Sequence, residues 1–299
     1  MTETRRPFGD SERKNAETLI GMALAEDLND AGDITTTTVI SPRARGSARL
    51  IARAPGVVAG LPVVGMLIDH FELREGWRPR RVDGDRVEAG DVLGELSGSF
   101  RSILVLERTA LNFLQRLCGV ASLTARFVAE VEGTAAGVFD TRKTTPGWRA
   151  LEKYAVRCGG GRNHRIGLYD AVLIKDNHLG WLQADGVADP IAKAIADARA
   201  GSPPGTVVEV EVDTLDQLDV ALRCRPDIVL VDNLGPDALR EAVRRRDQSA
   251  PDVELEASGG VTLATIAALA RSGVDRISVG ALTHSAVALD VALDIDPAT

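Results

Sequence analysis

The βα organisation of this chain is clearest in the segment VVEVEVDTLDQLDVALRCRPDIVLVD, residues 207–232. It begins with a β-branched run at 207–211, continues at 215–223 with apolar residues at helical spacing, and closes with the apolar run 228–232. A strand, a helix and a second strand in close succession are typical of a βα unit, in which a helix connects two parallel strands. This stretch therefore predicts neighbouring parallel strands that both lead into acidic residues.

The same pattern recurs through the second half of the chain. Short apolar strands are predicted at residues 137–140, 171–175, 207–211, 228–232, 253–258 and 276–280. Helical patterns lie between several of them, at residues 190–199, 215–223, 236–246 and 263–272. Repeated βα units predict a parallel sheet with its ligand site at the carboxyl ends of the strands. Because only six strands are clear, the pattern does not establish a complete eight-stranded barrel.

The first hundred residues predict a different unit, of α+β class with an antiparallel sheet. Helices are expected at residues 16–26 and 63–70, a strand at 34–40, a strand pair at 47–58 and tight hairpins at 82–93. Residues 101–132 then predict two helices with a break near Gly119. The expected domains are residues 1–117 and 118–285. For residues 286–299 the sequence does not distinguish a strand from a tail. One placement that it allows is packing against the first domain.

Composition excludes several classes of protein. The 299-residue chain is 44% hydrophobic and carries a formal charge of −8, which does not fit a general nucleic-acid surface. The three cysteines, Cys118, Cys158 and Cys224, form no CxxC pair and are expected to be reduced thiols of a cytoplasmic protein. No apolar run reaches membrane-spanning length, and the polar N-terminal segment does not resemble a signal peptide.

Against this acidic background, residues 139–179 concentrate positive charge beside a triple glycine, residues 159–161. Arginine grips carboxylate or phosphate through two parallel hydrogen bonds, whereas lysine supplies a compact charge. The segment therefore predicts a pocket for a small, highly charged anion. Its candidate residues are Asp140, Arg142, Lys143, Arg149, His164, Arg165 and Lys175.

Acidic residues occupy one face of the strand at 207–211 and its continuation. Glu209, Glu211 and Asp213 share that face because strand side chains alternate, and Asp232 ends the next strand. Glu211 and Asp232 are candidates for binding ribose hydroxyls and Mg²⁺. The alternative is a structural ion-pair network with Arg142 or Lys175.

Glycine-bearing turns follow the last two predicted strands. Ser258, Gly259 and Gly260 follow one strand, and Gly280 and His284 follow the other. Such turns let backbone N–H groups approach a phosphate, although ordinary βα turns also contain glycine.

Two other functions need consideration. Lys175, at a strand end, could form a Schiff base with a carbonyl substrate, but acidic neighbours would hold it charged and better suited to anion binding. The repeated Gly-Asp turns at 82–93 resemble a biotinyl or lipoyl carrier hairpin. That role is excluded because no lysine lies between Lys14 and Lys143.

Taken together, these motifs resemble the quinolinate phosphoribosyltransferase family, and the resemblance covers nearly the whole chain. It rests on residues 26–28, 32–36, 107–108, 111–112, 140–144, 146–147, 153–156, 159–161, 163–165, 174–178, 210–212, 232–233 and 257–260. The resemblance implies an α/β protein with an N-terminal open-sandwich domain and an incomplete, TIM-like α/β barrel. It also implies a homodimer in which Arg108 completes the partner's site.

The activity implied by the resemblance is phosphoribosyl transfer from phosphoribosyl pyrophosphate to quinolinate with decarboxylation, assisted by Mg²⁺. The implied quinolinate-binding residues are Arg108, Arg142, His164, Arg165 and Lys175. The implied residues for phosphoribosyl pyrophosphate are Lys143, Glu211, Asp232, Ser258, Gly259, Gly260, Gly280 and His284. Catalytic roles fall to Lys143, Lys175, Glu211 and Asp232, and Mg²⁺ binding to Glu211 and Asp232. A relative that uses nicotinate, a molybdenum-system homologue and a Schiff-base aldolase are the alternatives.

Overall fold

The computed structural model describes residues 7–297, which divide into two units. The first unit extends to Ala125 and adds Thr144–Gly160 and the segment from Leu282 onward. The second consists of Arg126–Lys143 and Gly161–Ala281. The first unit thus includes Thr144–Gly160, a segment that the sequence-based division at residue 117 places in the barrel.

The strands of residues 7–297 are, in chain order, β1 (Arg45–Ala52), β2 (Gly56–Val57), β3 (Arg78–Pro79), β4 (Arg86–Val87), β5 (Val92–Ser99), β6 (Gly137–Phe139), β7 (Val172–Ile174), β8 (Val208–Val212), β9 (Ile228–Asp232), β10 (Glu254–Ser258), β11 (Arg276–Ser278) and β12 (Val291–Pro297). The helices are α1 (Asp10–Leu28), α2 (Ile34–Val39), α3 (Leu61–His70), α4 (Phe100–Glu130), α5 (Arg149–Cys158), α6 (Asp176–Ala184), α7 (Pro190–Gly201), α8 (Leu215–Cys224), α9 (Pro236–Ser249), α10 (Ile266–Ala270) and α11 (Ala281–His284). A 3₁₀ turn covers Arg74–Gly76.

The first unit contains an antiparallel sheet in the order β12-β1-β5-β3. The chain's last strand, β12, pairs with β1 along its whole length, from Gly46 opposite Pro297 to Ala52 opposite Val291. The predicted α+β class of this region is confirmed. The turns predicted at 82–93 are present, but β4 pairs with β2 instead of forming its own hairpin with β5.

The second unit is built around a parallel sheet in the order β6-β11-β10-β9-β8-β7. These are the six strands predicted from the apolar runs. Among the described residues, β6 and β7 are the edges of the sheet, so the barrel is incomplete. Most buried residues of the strands are apolar, with Glu209 in β8 and Glu256 in β10 as buried charged exceptions, and polar residues that the sequence singles out lie at the carboxyl ends.

The strand predicted at residues 34–40 is wrong, because this segment forms the helix α2. The Asp33 side chain caps the helix by accepting a hydrogen bond of 2.8 Å from the Thr36 backbone N–H. The Thr37 and Thr38 hydroxyls donate to carbonyls of the preceding turn. Local capping therefore outweighs the strand preference of β-branched residues.

The predicted break near Gly119 is also wrong, because α4 continues without interruption from Phe100 to Glu130. A Cβ atom added at Gly119 would lie 2.2 Å from the Val287 carbonyl oxygen and 3.0 Å from Ala288 Cα. The glycine therefore permits close backbone packing against the C-terminal segment, and it does not end the helix.

Replacing Gly119 with alanine is expected to destabilise the protein, although alanine is the better helix former. The methyl group would overlap the 287–288 backbone, and overpacking of this kind costs about 1–3 kcal/mol. Urea unfolding measures the change. The matched control is Gly65→Ala in α3, where a Cβ meets nothing within 4 Å and alanine is expected to stabilise by up to about 1 kcal/mol. Equal stabilisation by both substitutions would contradict the packing role of Gly119.

Candidate active site

A cavity of about 200 Å³ opens at the carboxyl-terminal strand ends of the second unit. It is lined by Thr141, Arg142, Lys143, His164, Arg165, Leu173, Lys175, Leu230, Glu256, Ser258 and Ser278. All of these residues belong to the second unit. Residues 139–179 thus contribute two cationic pairs to one cavity, Arg142 with Lys143 and His164 with Arg165. Lys175 lines the same cavity.

Asp140 connects the two cationic pairs. Its side chain is fully buried and accepts hydrogen bonds from Asn163 Nδ2 at 2.6 Å and from the His164 backbone N–H at 2.9 Å. The backbone of the glycine-rich loop also bonds to the β6 segment, with the Asp140 N–H donating to the Arg162 carbonyl. Asp140 therefore places the loop that carries His164 and Arg165 beside the segment that carries Arg142 and Lys143.

Arg142 and Arg165 place two guanidinium groups in the lining of the cavity. The Nε atoms of both guanidinium groups are buried and have no hydrogen-bond partner. Burial and the neighbouring Arg142 charge lower the pKa of Arg165 from its ordinary value. Two close guanidinium groups with unused donors predict a multiply charged anion as the ligand, because such an anion offsets their repulsion and accepts their hydrogen bonds.

Lys175 lies between β7 and α6 and forms an ion pair with Glu211 of β8. At Glu211, the acidic face of β8 therefore forms the ion pair with Lys175 that the sequence offered as an alternative to ligand binding. It also argues against a Schiff-base lysine, because an ion-paired ammonium group is a poor nucleophile.

Glu211 and Asp232 point to the same face of the sheet. Glu211 is paired in register with Leu230, and Asp232 is two residues further along β9. The Asp232 carboxylate accepts a hydrogen bond of 2.5 Å from Asn233 Nδ2. The two predicted carboxylates therefore lie at the ends of neighbouring strands, on the side of the sheet that bears the cavity.

His164 is held at both ring nitrogens. Its Nε2 lies 2.8 Å from Glu209 Oε2 and 3.6 Å from Glu256 Oε1, while Nδ1 accepts the Arg165 backbone N–H at 2.8 Å. Burial alone would lower the pKa of His164, but the hydrogen bond and charge of Glu209, with the charge of Glu256, raise it. His164 is thus a fixed wall of the cavity.

Sequence reasoning missed Glu256 and Arg276 as parts of this region. Glu256 lines the cavity and accepts a hydrogen bond of 2.6 Å from Arg276 Nε, and the Arg276 guanidinium lies 3.7 Å from the centre of the Phe139 ring. The available signal was the alternation of acidic and apolar residues at 253–258, which resembles the pattern at 207–212.

The predicted phosphate-binding turns fall partly within the cavity wall. Ser258 lines the cavity, and Gly259 and Gly260 follow it with φ angles of +96° and +56°. A Cβ at Gly259 would lie 2.1 Å from Asn233 Oδ1, so both conformation and space require glycine there. Gly280 follows β11 in the second unit.

Arg108 and His284 belong to the first unit, in α4 and α11. The structure does not bring them into the cavity lining of the second unit. His284 Nδ1 lies 2.7 Å from the neighbouring Ser285 hydroxyl.

Comparison with known proteins finds one family for both parts of the chain. The quinolinate phosphoribosyl transferase N-terminal domain model matches residues 33–118, and the corresponding C-terminal domain model matches residues 120–294. The chain is 42% identical to the nicotinate-nucleotide pyrophosphorylase [carboxylating] of Mycobacterium leprae, over 96% of this chain and 100% of that protein.

Solved structures show the same relationship. The chain superposes on NadC from Streptococcus pyogenes with a TM-score of 0.87, at 38% identity and covering 96% and 98% of the two chains. The nicotinate-nucleotide pyrophosphorylase from Francisella tularensis gives a TM-score of 0.85 at 38% identity, covering 95% and 96%. The chain belongs to the quinolinate phosphoribosyl transferase family.

Proposed function

We propose that this protein transfers the phosphoribosyl group of phosphoribosyl pyrophosphate to quinolinate, giving nicotinate mononucleotide, pyrophosphate and CO₂ in de novo NAD biosynthesis. The observation that carries this assignment is the pair of buried, unpartnered Arg142 and Arg165 Nε atoms beside a small cavity. The family membership of the chain and the names of its relatives support the same reaction.

Quinolinate is a pyridine ring with two adjacent carboxylates, and its charge matches the cavity. Arg142 and Arg165 supply guanidinium donors for the carboxylates, and His164 forms part of the wall against which the ring packs. We also assign Lys175 to the quinolinate site. The family resemblance adds Arg108, which would come from the partner subunit of a homodimer.

The phosphoribosyl pyrophosphate would lie toward the strand ends. Lys143 and Lys175 neutralise its phosphate and pyrophosphate groups, and Glu211 and Asp232 bind the ribose hydroxyls. The turns at Ser258, Gly259, Gly260 and Gly280 offer backbone N–H groups to the 5′-phosphate, with His284 as a further candidate contact.

Mg²⁺ is the proposed cofactor, and the residues present fit it. Glu211 and Asp232 offer carboxylate oxygens at the ends of neighbouring strands, and Mg²⁺ typically uses one or two carboxylates together with water and substrate phosphates. When bound, the ion would neutralise negative charge on the pyrophosphate.

The protein's own contribution to the reaction is positioning and electrostatics. The arginines orient the pyridine nitrogen toward the ribosyl carbon. Glu211 and Asp232 stabilise positive charge that develops on the ribosyl group as pyrophosphate leaves. Loss of CO₂ then follows on the nucleotide, because the cationic pyridinium ring accepts the electrons released at carbon 2.

Within residues 7–297, no helix is both long and apolar enough to cross a membrane. We propose a cytoplasmic enzyme that acts as a homodimer or a larger assembly of dimers.

Chromatographic analysis of products tests the assignment of the acceptor. The enzyme, phosphoribosyl pyrophosphate and Mg²⁺ are incubated with quinolinate or with nicotinate. Nicotinate mononucleotide formed from quinolinate alone is the expected result. Turnover of nicotinate in place of quinolinate would keep the phosphoribosyl chemistry but overturn the dicarboxylate role of the arginines.

A further inference from the structure

Ser278, the last residue of β11, lines the cavity but has no hydrogen-bonding role in the fold. The residue is 6% exposed. No side-chain or backbone group of residues 7–297 forms a hydrogen bond with its hydroxyl. The wall of a cavity for anions therefore contains a neutral donor that the fold does not use.

The side chain of Ser278 points to the face of the sheet that bears the cavity. Because side chains alternate along a strand, Ser278 shares its face with Arg276, whereas Ile277 between them points to the opposite face. The Arg276 side chain donates a hydrogen bond to Glu256 of the neighbouring strand, and Glu256 also lines the cavity. The small exposed part of Ser278 thus faces the cavity.

A buried hydroxyl without a partner is unfavourable, and a ligand in the cavity can supply the missing acceptor. Ser272 offers a comparison within the same unit. It is similarly buried, at 5% exposure, but its hydroxyl donates to the Leu269 carbonyl at 2.6 Å. The Ser272 hydroxyl serves the fold, whereas the Ser278 hydroxyl is available to a ligand.

Strand order places Ser278 beside the cationic part of the cavity. It pairs in register with Phe139 of β6, the strand that leads into Arg142. Arg142 and Arg165 line the same cavity, and each has a buried Nε without a partner. A hydroxyl next to guanidinium groups of this kind is suited to the same ligand group, which is a carboxylate of quinolinate in the proposed function.

The pyridine nitrogen of quinolinate is a second acceptor, but it is not suited to this contact. In the proposed reaction the nitrogen lone pair attacks the ribosyl carbon, and a hydrogen bond would hold that lone pair back. A carboxylate oxygen can accept the hydroxyl while the nitrogen reacts. The charge of a carboxylate also makes it the stronger acceptor.

We propose that Ser278 is a quinolinate-binding residue, whose Oγ–H donates a hydrogen bond to a carboxylate oxygen of the ligand. This inference rests on the proposed function, because it takes quinolinate as the ligand. Arg142 and Arg165 supply positive charge, and the Ser278 hydroxyl adds a directed donor from a rigid strand. The contact holds the substrate without joining the chemistry, so its loss affects KM more than kcat.

Titration calorimetry with quinolinate measures the contribution of the hydroxyl. Ser278→Ala is expected to bind at least tenfold more weakly than wild type, because hydrogen bonds to charged groups are among the stronger ones. Ser278→Cys keeps the size of the side chain but has only a weak S–H donor, so it should lose affinity as well. Wild-type affinity in Ser278→Ala would overturn the proposal. Wild-type affinity in Ser278→Cys would show that shape, and not hydrogen bonding, is what the ligand needs here.

A second ligand separates the carboxylates from the ring nitrogen. Phthalate, benzene-1,2-dicarboxylate, carries two adjacent carboxylates but has no ring nitrogen. Wild type is expected to bind it, and Ser278→Ala is expected to weaken the binding of phthalate and quinolinate by the same factor. A loss confined to quinolinate would place the hydroxyl on the nitrogen and overturn the proposal.

Steady-state kinetics assigns the hydroxyl to one of the two substrates. In Ser278→Ala the KM for quinolinate is expected to rise about tenfold, while the KM for phosphoribosyl pyrophosphate stays within about threefold of wild type. A rise in the KM for phosphoribosyl pyrophosphate alone would place the hydroxyl on a phosphate and contradict the carboxylate contact.

Urea unfolding of the free protein tests whether the hydroxyl has a role in the fold. Ser278→Ala is expected to leave the midpoint unchanged or to raise it, because the substitution removes a buried donor without a partner. Ser272→Ala is the matched control and is expected to lower the midpoint, because it removes the hydrogen bond to Leu269. Equal lowering by the two substitutions would show that the Ser278 hydroxyl is structural.

The binding measurements also distinguish failure of this inference from failure of the proposed function. If wild type binds quinolinate and Ser278→Ala binds it equally well, the proposed function stands and the role of Ser278 is wrong. If wild type does not bind quinolinate, the proposed function fails, and the contact assigned to Ser278 fails with it.

Discussion

Arg142→Ala is expected to reduce kcat/KM for quinolinate by about 10³-fold, or about 4 kcal/mol of transition-state binding, while the fold survives. The Arg142 guanidinium lines the cavity and its buried Nε has no partner in the protein. Its removal therefore takes away a donor meant for the ligand and breaks no hydrogen bond of the buried Nε. Arg142→Lys keeps the charge but loses the two-pronged hydrogen bond, and should recover only part of the activity.

Steady-state kinetics with a fold control measures this effect. Arg240→Ala, which removes an exposed arginine of α9 that pairs with Asp237, is the matched control and should retain wild-type kinetics. Circular dichroism should be unchanged in all of these variants. Full activity with a normal KM in Arg142→Ala would remove this residue from the quinolinate site.

Lys175→Ala is expected to have a comparable effect, again about 10³-fold on kcat/KM. The substitution removes a cation from the cavity wall and leaves the Glu211 carboxylate without its ion-pair partner. Negative charge is thereby left uncompensated where phosphates are proposed to bind, so KM for phosphoribosyl pyrophosphate should rise and kcat should fall. Lys193→Ala removes an exposed lysine that pairs with Asp197 and should be without effect.

The Lys175 variant also separates two chemistries. Charge neutralisation predicts that borohydride traps no adduct between the wild-type enzyme and a carbonyl substrate. A covalent adduct that forms with wild type and is lost in Lys175→Ala would instead identify a Schiff-base lysine.

The parallel sheet could be predicted from the sequence because its strands are short and rich in apolar residues, and helical patterns lie between several of them. The strand β9 occupies the predicted residues 228–232, and β8 differs from its prediction by one residue at each end. These signals are local, since the strands of a parallel sheet covered on both faces are rich in apolar residues whichever strands they pair with.

The strand predicted at 34–40 and the helix break predicted near Gly119 were wrong for different reasons. The threonine-rich segment after Asp33 has strand propensity, but a single capping side chain makes it a helix. Gly119 has the sequence signature of a helix break, yet it serves a contact with residues 287–288, far along the chain. Propensity cannot reveal which distant backbone passes close to a glycine.

The part of the candidate site that could be predicted from the sequence consists of its basic residues. Arg142, His164, Arg165 and Lys175 stand out in an acidic chain, and the structure gathers them around one cavity. Glu256 was missed because its importance comes from burial and from its neighbours Glu209 and Arg276, which lie on other strands. Such a role depends on strand order and register, which cannot be predicted from the residues of a single strand.

Carboxyl-labelled quinolinate tests directly whether the protein transfers a phosphoribosyl group to quinolinate with loss of one carboxyl group. Enzyme, phosphoribosyl pyrophosphate and Mg²⁺ are mixed with quinolinate that carries its label in the carboxyl group at carbon 2 or at carbon 3. Label from carbon 2 is expected to be released as CO₂ in equal amount to the nicotinate mononucleotide formed, and label from carbon 3 is expected to remain in the nucleotide. A nucleotide that retains both carboxyl groups, or the absence of any nucleotide from quinolinate, would contradict it.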